Sequence, residues 1–423
     1  MNYQLAESII GIFRTDDSMG HYEVFSKFNY RDWKRTYKWI DASGLALYLL
    51  DRLQVLRIEA SIPPFVLRRL QENAFDNQAK TKHLFEEFIS INREFRHVGL
   101  SYLNLKGFTL APDAFSDARL RLQLDLDFWV SRSDVSLCQQ TLEKQGYWLT
   151  GEGSNVKEFK AGGGQVPRLR DLYKSKLQRC VEIHFNDSNG PEELKLQYGR
   201  LGRSDLRCWE DLELPVLCDC DRFIALALHL FKHLKGEWTR ASWLLEYVNF
   251  VKFHELNEAL WAEVGECASE NEEIRLAVGA ATLVSHQNFS MRHVPEVLAW
   301  TIQKLPQAVS LWIERYSAQI ILAKYPGTKI HLLLRRALAL DGIVKHYEAK
   351  SLLPLHRPAR ITVRSPNVSF LANFQKIKDE GLYFFFRLYF HLEQGCYYLV
   401  ESARWNREVV SLGKADPDSI GHR

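Results

Sequence analysis

One segment in the first third of the chain constrains the fold most strongly: LNLKGFTLAPDAFSDARLRLQLDLDFWV, at residues 103–130. It begins with a short apolar run of strand length and continues into Lys106 and Gly107, a pair that favours a tight turn. The residues that follow predict a helix from Phe108 to Phe115 and then a second strand. The segment therefore predicts a strand, a glycine turn, a helix and a strand in immediate succession.

Two aspartates, Asp125 and Asp127, lie in the second of these strands. Because side chains alternate between the faces of a strand, both carboxylates project from one face and can hold a divalent cation between them. Their repulsion is expected to raise the pKa of at least one of them in the metal-free protein. Two aspartates two positions apart are a weak motif by themselves. Neighbouring features strengthen it: a turn at Gly107, whose amides can face a phosphate, and Arg121 four residues before the first aspartate.

A later strand also carries polar groups on one face, QRCVEIHF at residues 178–185. Alternation places Val181 and Ile183 on one face and Glu182 and His184 on the other. We expect this strand and the aspartate strand to be neighbours in one mixed sheet. The carboxylates should then lie within about 6 Å of one another, a reach set by two shared metal ions roughly 4 Å apart.

Length and composition exclude several classes of protein. A chain of 423 residues suggests two or three domains, and 46% hydrophobic with 25% charged residues is typical of a soluble globular protein. A net charge of +3 indicates no general affinity for nucleic acid or membranes. The N-terminus lacks the features of a signal peptide, and the seven cysteines are scattered without metal-binding spacing. These features predict a cytoplasmic protein with reduced thiols.

The periodicity of apolar residues divides the chain into an N-terminal helical region, an α/β domain, a C-terminal helical domain and a disordered tail. The bounds expected for these four parts are residues 1–98, 99–215, 216–412 and 413–423. Within the first part, we expect a helix from about Tyr30 and a long helix after Pro63.

The aromatic-rich stretch at residues 381–400 is the one candidate for a membrane-spanning helix in the sequence. It is interrupted by Arg387, His391 and Glu393, whose charged or polar side chains are costly in the middle of a bilayer. We therefore expect a buried helix and no membrane partner.

Two further features leave alternatives open. His229 and His233 share a helix face and either pack between helices or face a substrate; a metalloprotease motif is excluded because Leu230 stands where its glutamate would be. The segment 331–364 carries seven Lys or Arg against two acids. It is either a solvated basic face or a site for a polyanion or an acceptor.

Together these motifs resemble a bacterial family of uncharacterised nucleotidyltransferases in the DNA polymerase beta-like superfamily. The resemblance rests on LKG, on the R-x-x-x-D-x-D pattern that ends at Asp127, on a Gly-Tyr pair, and on the acid-x-His-aromatic strand. Members have helices before these motifs and a histidine-bearing helical region after them. The resemblance spans most of residues 30–250, and its motifs are confined to residues 105–184.

The resemblance implies an α+β fold, with a polymerase beta-like domain built on a small mixed sheet and flanked by N-terminal and C-terminal helical regions. It also implies Mg²⁺-dependent transfer of a nucleoside monophosphate from a nucleoside triphosphate to an unknown acceptor hydroxyl. Asp125, Asp127 and Glu182 would be the catalytic carboxylates and the ligands of a two-metal site. The residues that the resemblance assigns to nucleotide binding are Lys106, Gly107, Arg121 and His184.

Two departures from the superfamily pattern keep other functions open. The turn is Lys-Gly-Phe instead of Gly-Ser or Gly-Gly, and the third acid is Glu182 instead of the commoner aspartate, which moves a carboxylate by about 1.5 Å. One alternative is therefore a catalytically inactive nucleotide-binding module. Another is an RNA-modifying or toxin-type transferase, favoured by the basic segment 331–364, although nucleic acid is not the favoured partner. For Arg121, an ion pair with a nearby acid is the alternative to a phosphate contact.

Overall fold

The computed structural model describes residues 1–162, 171–174, 179–185, 203–209, 211–340 and 370–414. Within these residues the fold is mixed α+β, with a seven-stranded mixed sheet and helices on either side of it in sequence. The α+β class and the flanking helices expected from sequence are confirmed, while the domain boundaries stay predictions. Almost all of the tail 413–423 and most of the basic segment 331–364 lie outside the described residues.

Helices α1 to α5 precede the sheet, at Tyr3–Gly11, Ser18–Ser26, Tyr30–Ala42, Ala46–Leu56 and Pro64–His97. Helix α3 begins where the sequence predicts, in a capping box in which Asn29 and Asp32 each accept a backbone hydrogen bond from the other. Helix α5 has Pro64 in its first turn, where the missing N–H has no intrahelical partner to lose.

The strands are β1 to β7, at Tyr102–Leu105, Leu126–Val130, Tyr147–Glu152, Val156–Ala161, Arg179–His184, Ser204–Trp209 and Leu212–Leu217. Helix α6, Val135–Lys144, follows β2 in sequence. The strand order is β3-β4-β5-β2-β1-β7-β6. Strand β2 pairs antiparallel with β1 and parallel with β5, so it lies in the middle of the sheet. The strand predicted at residues 178–185 is therefore a neighbour of the aspartate strand, as expected.

Strand β2 presents an apolar side chain, Phe128, to one face of the sheet and an acidic side chain, Asp127, to the other. Phe128 is fully buried, and Phe88 and Phe95 of α5 pack against it with ring centroids 6.4 and 5.2 Å away. Burying a phenylalanine side chain contributes about 1.5–3 kcal/mol. Because this face is anchored by aromatic packing, the alternation of the strand turns Asp127 to the opposite face.

The helices that follow the sheet are α7 to α14. Their bounds are Asp219–Leu234, Ala241–Phe253, Glu258–Glu270, Glu272–Phe289, Glu296–Gln303, Gln307–Ile321, His331–Leu340 and Phe370–Lys414. Buried apolar side chains of these helices and of α1 to α4 form one cluster. The helices from the two ends of the chain are thus held together by a shared core, beside the sheet.

The helix expected from Phe108 to Phe115 is wrong. A single 3-10 turn, Gly107–Leu110, takes its place and ends at Ala111, which has φ −84° and ψ 142°. Pro112 explains the difference, because the residue before a proline is kept out of the α region and proline has no N–H to donate.

The stretch 381–400 is helical, within α14, but the expectation that it is buried is wrong. Phe385 and Tyr389 are 68% and 67% exposed, whereas Arg387 is buried and forms a bidentate ion pair with Glu237 at 2.7 and 2.9 Å. The polar residues of this stretch therefore face the rest of the protein, and several of its aromatic residues face outward. None of the helices in the described ranges is long and apolar enough to cross a membrane.

Candidate active site

The turn between β1 and the 3-10 segment brings a lysine to the aspartates. Lys106 and Gly107 both have positive φ, +51° and +50°, and a non-glycine residue in this region is strained. Leu105 lies opposite Asp127 in the β1–β2 pair. The turn therefore projects the Lys106 ammonium onto β2, where its Nζ lies 3.0 Å from Oδ1 of Asp127.

Asp127 is the buried centre of the site, with only 4% of its side chain exposed. Its Oδ1 accepts from Lys106 and also lies 3.0 Å from Nε2 of His184. Burial alone raises the pKa of a carboxyl group, but Lys106 and His184 outweigh burial and hold the pKa of Asp127 well below its usual range. Asp127 is thus ionised at neutral pH.

Glu182 and His184 reach Asp127 from the neighbouring strand. Asp127 is paired in register with Glu182 across β2 and β5, so both side chains project from the same face. One ligand atom of each of Asp127, Glu182 and His184 lies within 4.8 Å of the others, and His184 Nε2 is 3.7 Å from Glu182 Oε2. For Asp127 and Glu182, the expected approach within about 6 Å is therefore confirmed.

Asp125 stands immediately before β2, beside this group and not within it. Burial and the charge of Asp127 raise the pKa of Asp125, in agreement with the repulsion expected from the sequence. Burial, followed by Asp127 and Asp125, also raises the pKa of Glu182. The three carboxylates therefore differ: Asp127 is stabilised as an anion, whereas Asp125 and Glu182 hold their protons more tightly than ordinary carboxyl groups.

Arg121 forms an ion pair, which was one of the two alternatives left open by the sequence. Its Nε lies 3.3 Å from Oε2 of Glu246 on α8, and both side chains are largely buried. The Tyr48 hydroxyl donates to the other oxygen of Glu246 at 3.3 Å. The guanidinium is held by these partners and lies close enough to Asp125 for their charges to interact.

His229 and His233 lie on α7 and pack edge to face, with ring centroids 4.5 Å apart and an angle of 63° between the ring planes. The ring of Trp243 on α8 packs against both, with its centroid 4.8 Å from that of His229 and 4.2 Å from that of His233. Burial, followed by neighbouring positive charge, holds the pKa of His229 well below its usual range, and Lys106 and Asp127 are among the charges that act on it. The pair therefore packs against α8, which is the first of the two alternatives, and a role in facing a substrate stays a prediction.

Because His233 is held neutral, the stability of the protein should fall in mild acid. Burial and Lys232 lower the pKa of His233 to about 4, whereas an unfolded histidine titrates near 6.5. As the pH drops from 6.5 to 4, the unfolded chain gains a proton that the folded protein excludes, which removes up to about 3 kcal/mol of stability. We expect His233→Gln to flatten this part of the pH profile in urea unfolding. An unchanged slope would show that His233 is not the group responsible.

Gly107 packs closely against the side chain of Gln123, which in turn is hydrogen-bonded to the backbone of Asp125. A Cβ atom at Gly107 would clash with the side-chain amide of Gln123, which donates to the backbone oxygen of Asp125 at 2.9 Å. Gly107→Ala should therefore displace Gln123, lower the free energy of unfolding by about 1–2 kcal/mol and reduce activity. Gly99→Ala is the matched control, because Gly99 has φ +71° and no atom close to a new Cβ. Equal losses of activity in the two variants would contradict a role for this contact.

Three residues of the site carry no signal that sequence analysis recognised. Gln123 supports the turn and the first aspartate, as described above. Lys80 is buried within α5, and Arg240 precedes α8. A cation inside a helical pattern or at a helix start is common on any protein surface. Only the packing of α5 and α8 beside the sheet lets the charge of Asp125 act on these two side chains.

Two cavities of the molecule lie away from these carboxylates. One, of about 380 Å³, lies between the first and the later helices and is lined by Tyr48, Arg52 and Lys252 among others. The other, of about 630 Å³, is an apolar groove behind the turn, where Phe85 and Phe108 are part of the lining. Since the carboxylates lie on the opposite face of β2 from Phe128 and its aromatic partners, the groove and the acidic group are on different sides of the sheet.

One comparison with known proteins gives a match. A family model described as an uncharacterised nucleotidyltransferase matches residues 29–289, which is more than half of the chain and includes every residue of the site. No curated protein and no solved structure matches the chain.

Proposed function

This chain belongs to the uncharacterised nucleotidyltransferase family, and we propose that it transfers a nucleoside monophosphate from a nucleoside triphosphate to an acceptor hydroxyl. The observation that carries the proposal is the in-register pairing of Asp127 with Glu182, which assembles two carboxylates on one face of the sheet. Asp125 stands beside them, and Lys106 provides a cation at the same place. An acidic group next to cations is what a metal-bound polyphosphate requires.

The carboxylate oxygens of the site fit Mg²⁺. Mg²⁺ prefers oxygen ligands, which Asp125, Asp127 and Glu182 supply, whereas the imidazole nitrogen of His184 suits a transition metal such as Zn²⁺ better. We assign His184 to the support of Asp127 through its hydrogen bond, a common role for a residue behind the ligands. When bound, metal ions at this site would supply charge neutralisation for the phosphate oxygens.

The side chains of the chain itself have separable roles in this reaction. Glu182 accepts the proton of the acceptor hydroxyl, a role suited to a carboxyl group whose pKa burial and neighbouring acids raise. The acceptor oxygen then forms a bond with the α-phosphorus, and the bond from that phosphorus to the bridging oxygen of pyrophosphate breaks. Lys106 and the amides of the Gly107 turn offset the charge of the departing phosphates.

Two readouts test the proposal. Thermal unfolding with Mg²⁺ and each of the four nucleoside triphosphates reports binding, and a ligand present at a hundred times its Kd should stabilise the protein by about 2.7 kcal/mol. Release of pyrophosphate then separates an enzyme from an inactive nucleotide-binding module. Absence of a shift in melting temperature with every triphosphate would contradict the assignment of this site to nucleotides.

The two alternatives predict different outcomes in the same experiment. An inactive module would show the shift in melting temperature without pyrophosphate release, and the position of His184 between Asp127 and Glu182 is the feature that favours it. An RNA-directed transferase would copurify with RNA and bind it with a steep salt dependence.

A further inference from the structure

Helix α14 is anchored to the rest of the protein along one face. Arg387 forms the ion pair with Glu237 described above. Further along the helix, Glu401 accepts a hydrogen bond from the hydroxyl of Tyr316 on α12 at 3.0 Å. The buried residues of this face are Arg387, Phe390, His391, Tyr398, Glu401 and Trp405. This face is therefore covered by the rest of the protein.

The opposite face of α14 is apolar and exposed. Its side chains recur at alternating intervals of three and four residues, which places them in one continuous stripe along the helix. The residues of this stripe are Leu382, Phe385, Tyr389, Leu392, Cys396 and Leu399. The members other than Cys396 are 60% to 68% exposed. At about 100° per residue, the centre of the stripe lies on the far side of the helix from the centre of the buried face.

This alternation is the heptad pattern of a coiled coil. A mean spacing of about 3.5 residues keeps an apolar seam facing one neighbouring helix over several turns. From Leu382 to Leu399 the stripe is about 26 Å long, from the helical rise per residue. Ala403 and Val410 continue the same spacing. A partner that covers the whole stripe must therefore itself be a long helix.

The apolar area on this face is larger than a monomer ordinarily leaves in water. Phe385, Phe386 and Tyr389 together expose roughly 350 Å², at about 200 Å² for a whole aromatic side chain. The exposed leucines and valines of this face add at least as much again. The total exceeds the largest apolar patch of a typical monomer, about 300–600 Å², and approaches the area that each partner buries in a stable interface, about 800 Å².

A second copy of this chain carries a stripe of matching length and chemistry. Among the helices in the described ranges, α14 alone exposes an apolar stripe of this length. A two-fold axis allows the same patch to serve on both subunits, because every contact is made twice. We propose that α14 pairs in antiparallel orientation with α14 of a second copy, and that the two stripes form the interface of a homodimer. This inference does not depend on the proposed nucleotidyl transfer.

Two charged residues at the edge of the stripe favour the antiparallel orientation. Glu393 and Arg407 are exposed and lie two heptads apart, at the same heptad position. Positions of this kind face each other in an antiparallel pair, so Glu393 of each copy lies beside Arg407 of the other. In a parallel pair they would instead face Leu388 and Ser402, which carry no charge. Because the charges stay at the rim, they affect orientation more than affinity.

A membrane surface is the other environment that an apolar helix face can meet. Helices that lie on membranes have a polar face that is rich in Lys and Arg and remains in contact with water and lipid headgroups. The face of α14 opposite the stripe is instead packed against the rest of the protein, and the edge of the stripe carries both an acid, Glu393, and a base, Arg407. These features favour a protein partner.

Sedimentation velocity of the full chain over a range of concentrations tests the interface. The wild type should sediment as a dimer, at twice the 49.3 kDa of one chain. Leu392→Glu should raise the dissociation constant at least about 100-fold, because the dimer would bury two unpaired carboxylates. Its helix content in circular dichroism should equal that of the wild type, since Leu392 is exposed in the single chain. Leu206→Glu is the matched control, because Leu206 on β6 is 63% exposed and Leu392 is 62% exposed.

Charge reversal tests the orientation. Glu393→Arg and Arg407→Glu should each raise the dissociation constant about 2- to 10-fold, and the double variant should restore it, because only the antiparallel pair brings the two charges together. A double variant that dimerises no more tightly than the single variants would overturn the antiparallel arrangement.

Three outcomes would overturn the interface itself. The first is a wild type that remains monomeric up to about 100 μM. The second is a Leu392→Glu variant that dimerises as tightly as the wild type. The third is cosedimentation of the monomer with vesicles of phosphatidylcholine and phosphatidylserine, which would identify the stripe as a membrane-binding surface.

Discussion

Replacing Asp125 or Asp127 with asparagine is expected to reduce the proposed nucleotidyl transfer at least about a thousandfold, because each variant lacks a carboxylate that we propose as a metal ligand. The two variants should differ in stability. Asp127 is paired with Lys106 and His184, so Asp127→Asn leaves both without their carboxylate. Lys106 is 36% exposed and water recovers part of the loss, so we expect about 1–2 kcal/mol of destabilisation.

Asp125→Asn should have the opposite effect on the folded protein. Burial and the charge of Asp127 disfavour the anionic form of Asp125 more than Lys106, Arg121 and Arg240 favour it, so the neutral amide relieves a net unfavourable charge. The melting temperature of this variant should equal or exceed that of the wild type, while its stabilisation by Mg²⁺ and nucleotide disappears.

The measurement is thermal unfolding of both variants with and without ligand, alongside pyrophosphate release. Asp205→Asn is the matched control, since Asp205 is exposed on β6, an edge strand of the same sheet. Transfer within about tenfold of the wild type in either aspartate variant would remove that residue from the catalytic group.

Asp113→Asn is expected to be the most destabilising single substitution near the site. The Asp113 carboxylate is buried and lies 2.9 Å from Arg207 and 2.8 Å from Arg222, and His254 is 3.4 Å away. Its loss leaves two guanidiniums facing each other, and Arg222 is only 2% exposed. Removing one partner of a buried ion pair costs about 3–5 kcal/mol; because Asp219 still contacts Arg222, we expect the lower end of that range.

This network reaches the candidate active site through the segment that follows the glycine turn. Arg207 and Arg222 both donate to the backbone oxygen of Thr109, at 3.2 and 2.8 Å. Urea unfolding of Asp113→Asn, compared with Asp211→Asn, measures the effect. Asp211 forms an exposed pair with Arg93, whose removal should cost less than about 1 kcal/mol. Equal losses in the two variants would contradict a structural role for the buried network.

Much of the site was predictable because its pattern is local. The alternation of apolar and polar residues in β2 and β5 places Asp127 and Glu182 opposite the buried faces of their strands, and strand geometry alone requires this. Gly107 likewise marks a turn with positive φ. The helix expected after the turn does not form for an equally local reason: Pro112 keeps Ala111 out of the helical region.

By itself, the sequence determined which residues share a strand face, where the helices α3 and α5 begin, and which family the motifs resemble, because these depend on neighbours along the chain. Only the tertiary structure decided that Arg121 pairs with Glu246, which lies 125 positions away, and that Asp125 and Asp127 have opposite pKa shifts. The physical reason is that charge interactions and burial depend on distance in space, which is set only when helices from both ends of the chain pack beside the sheet.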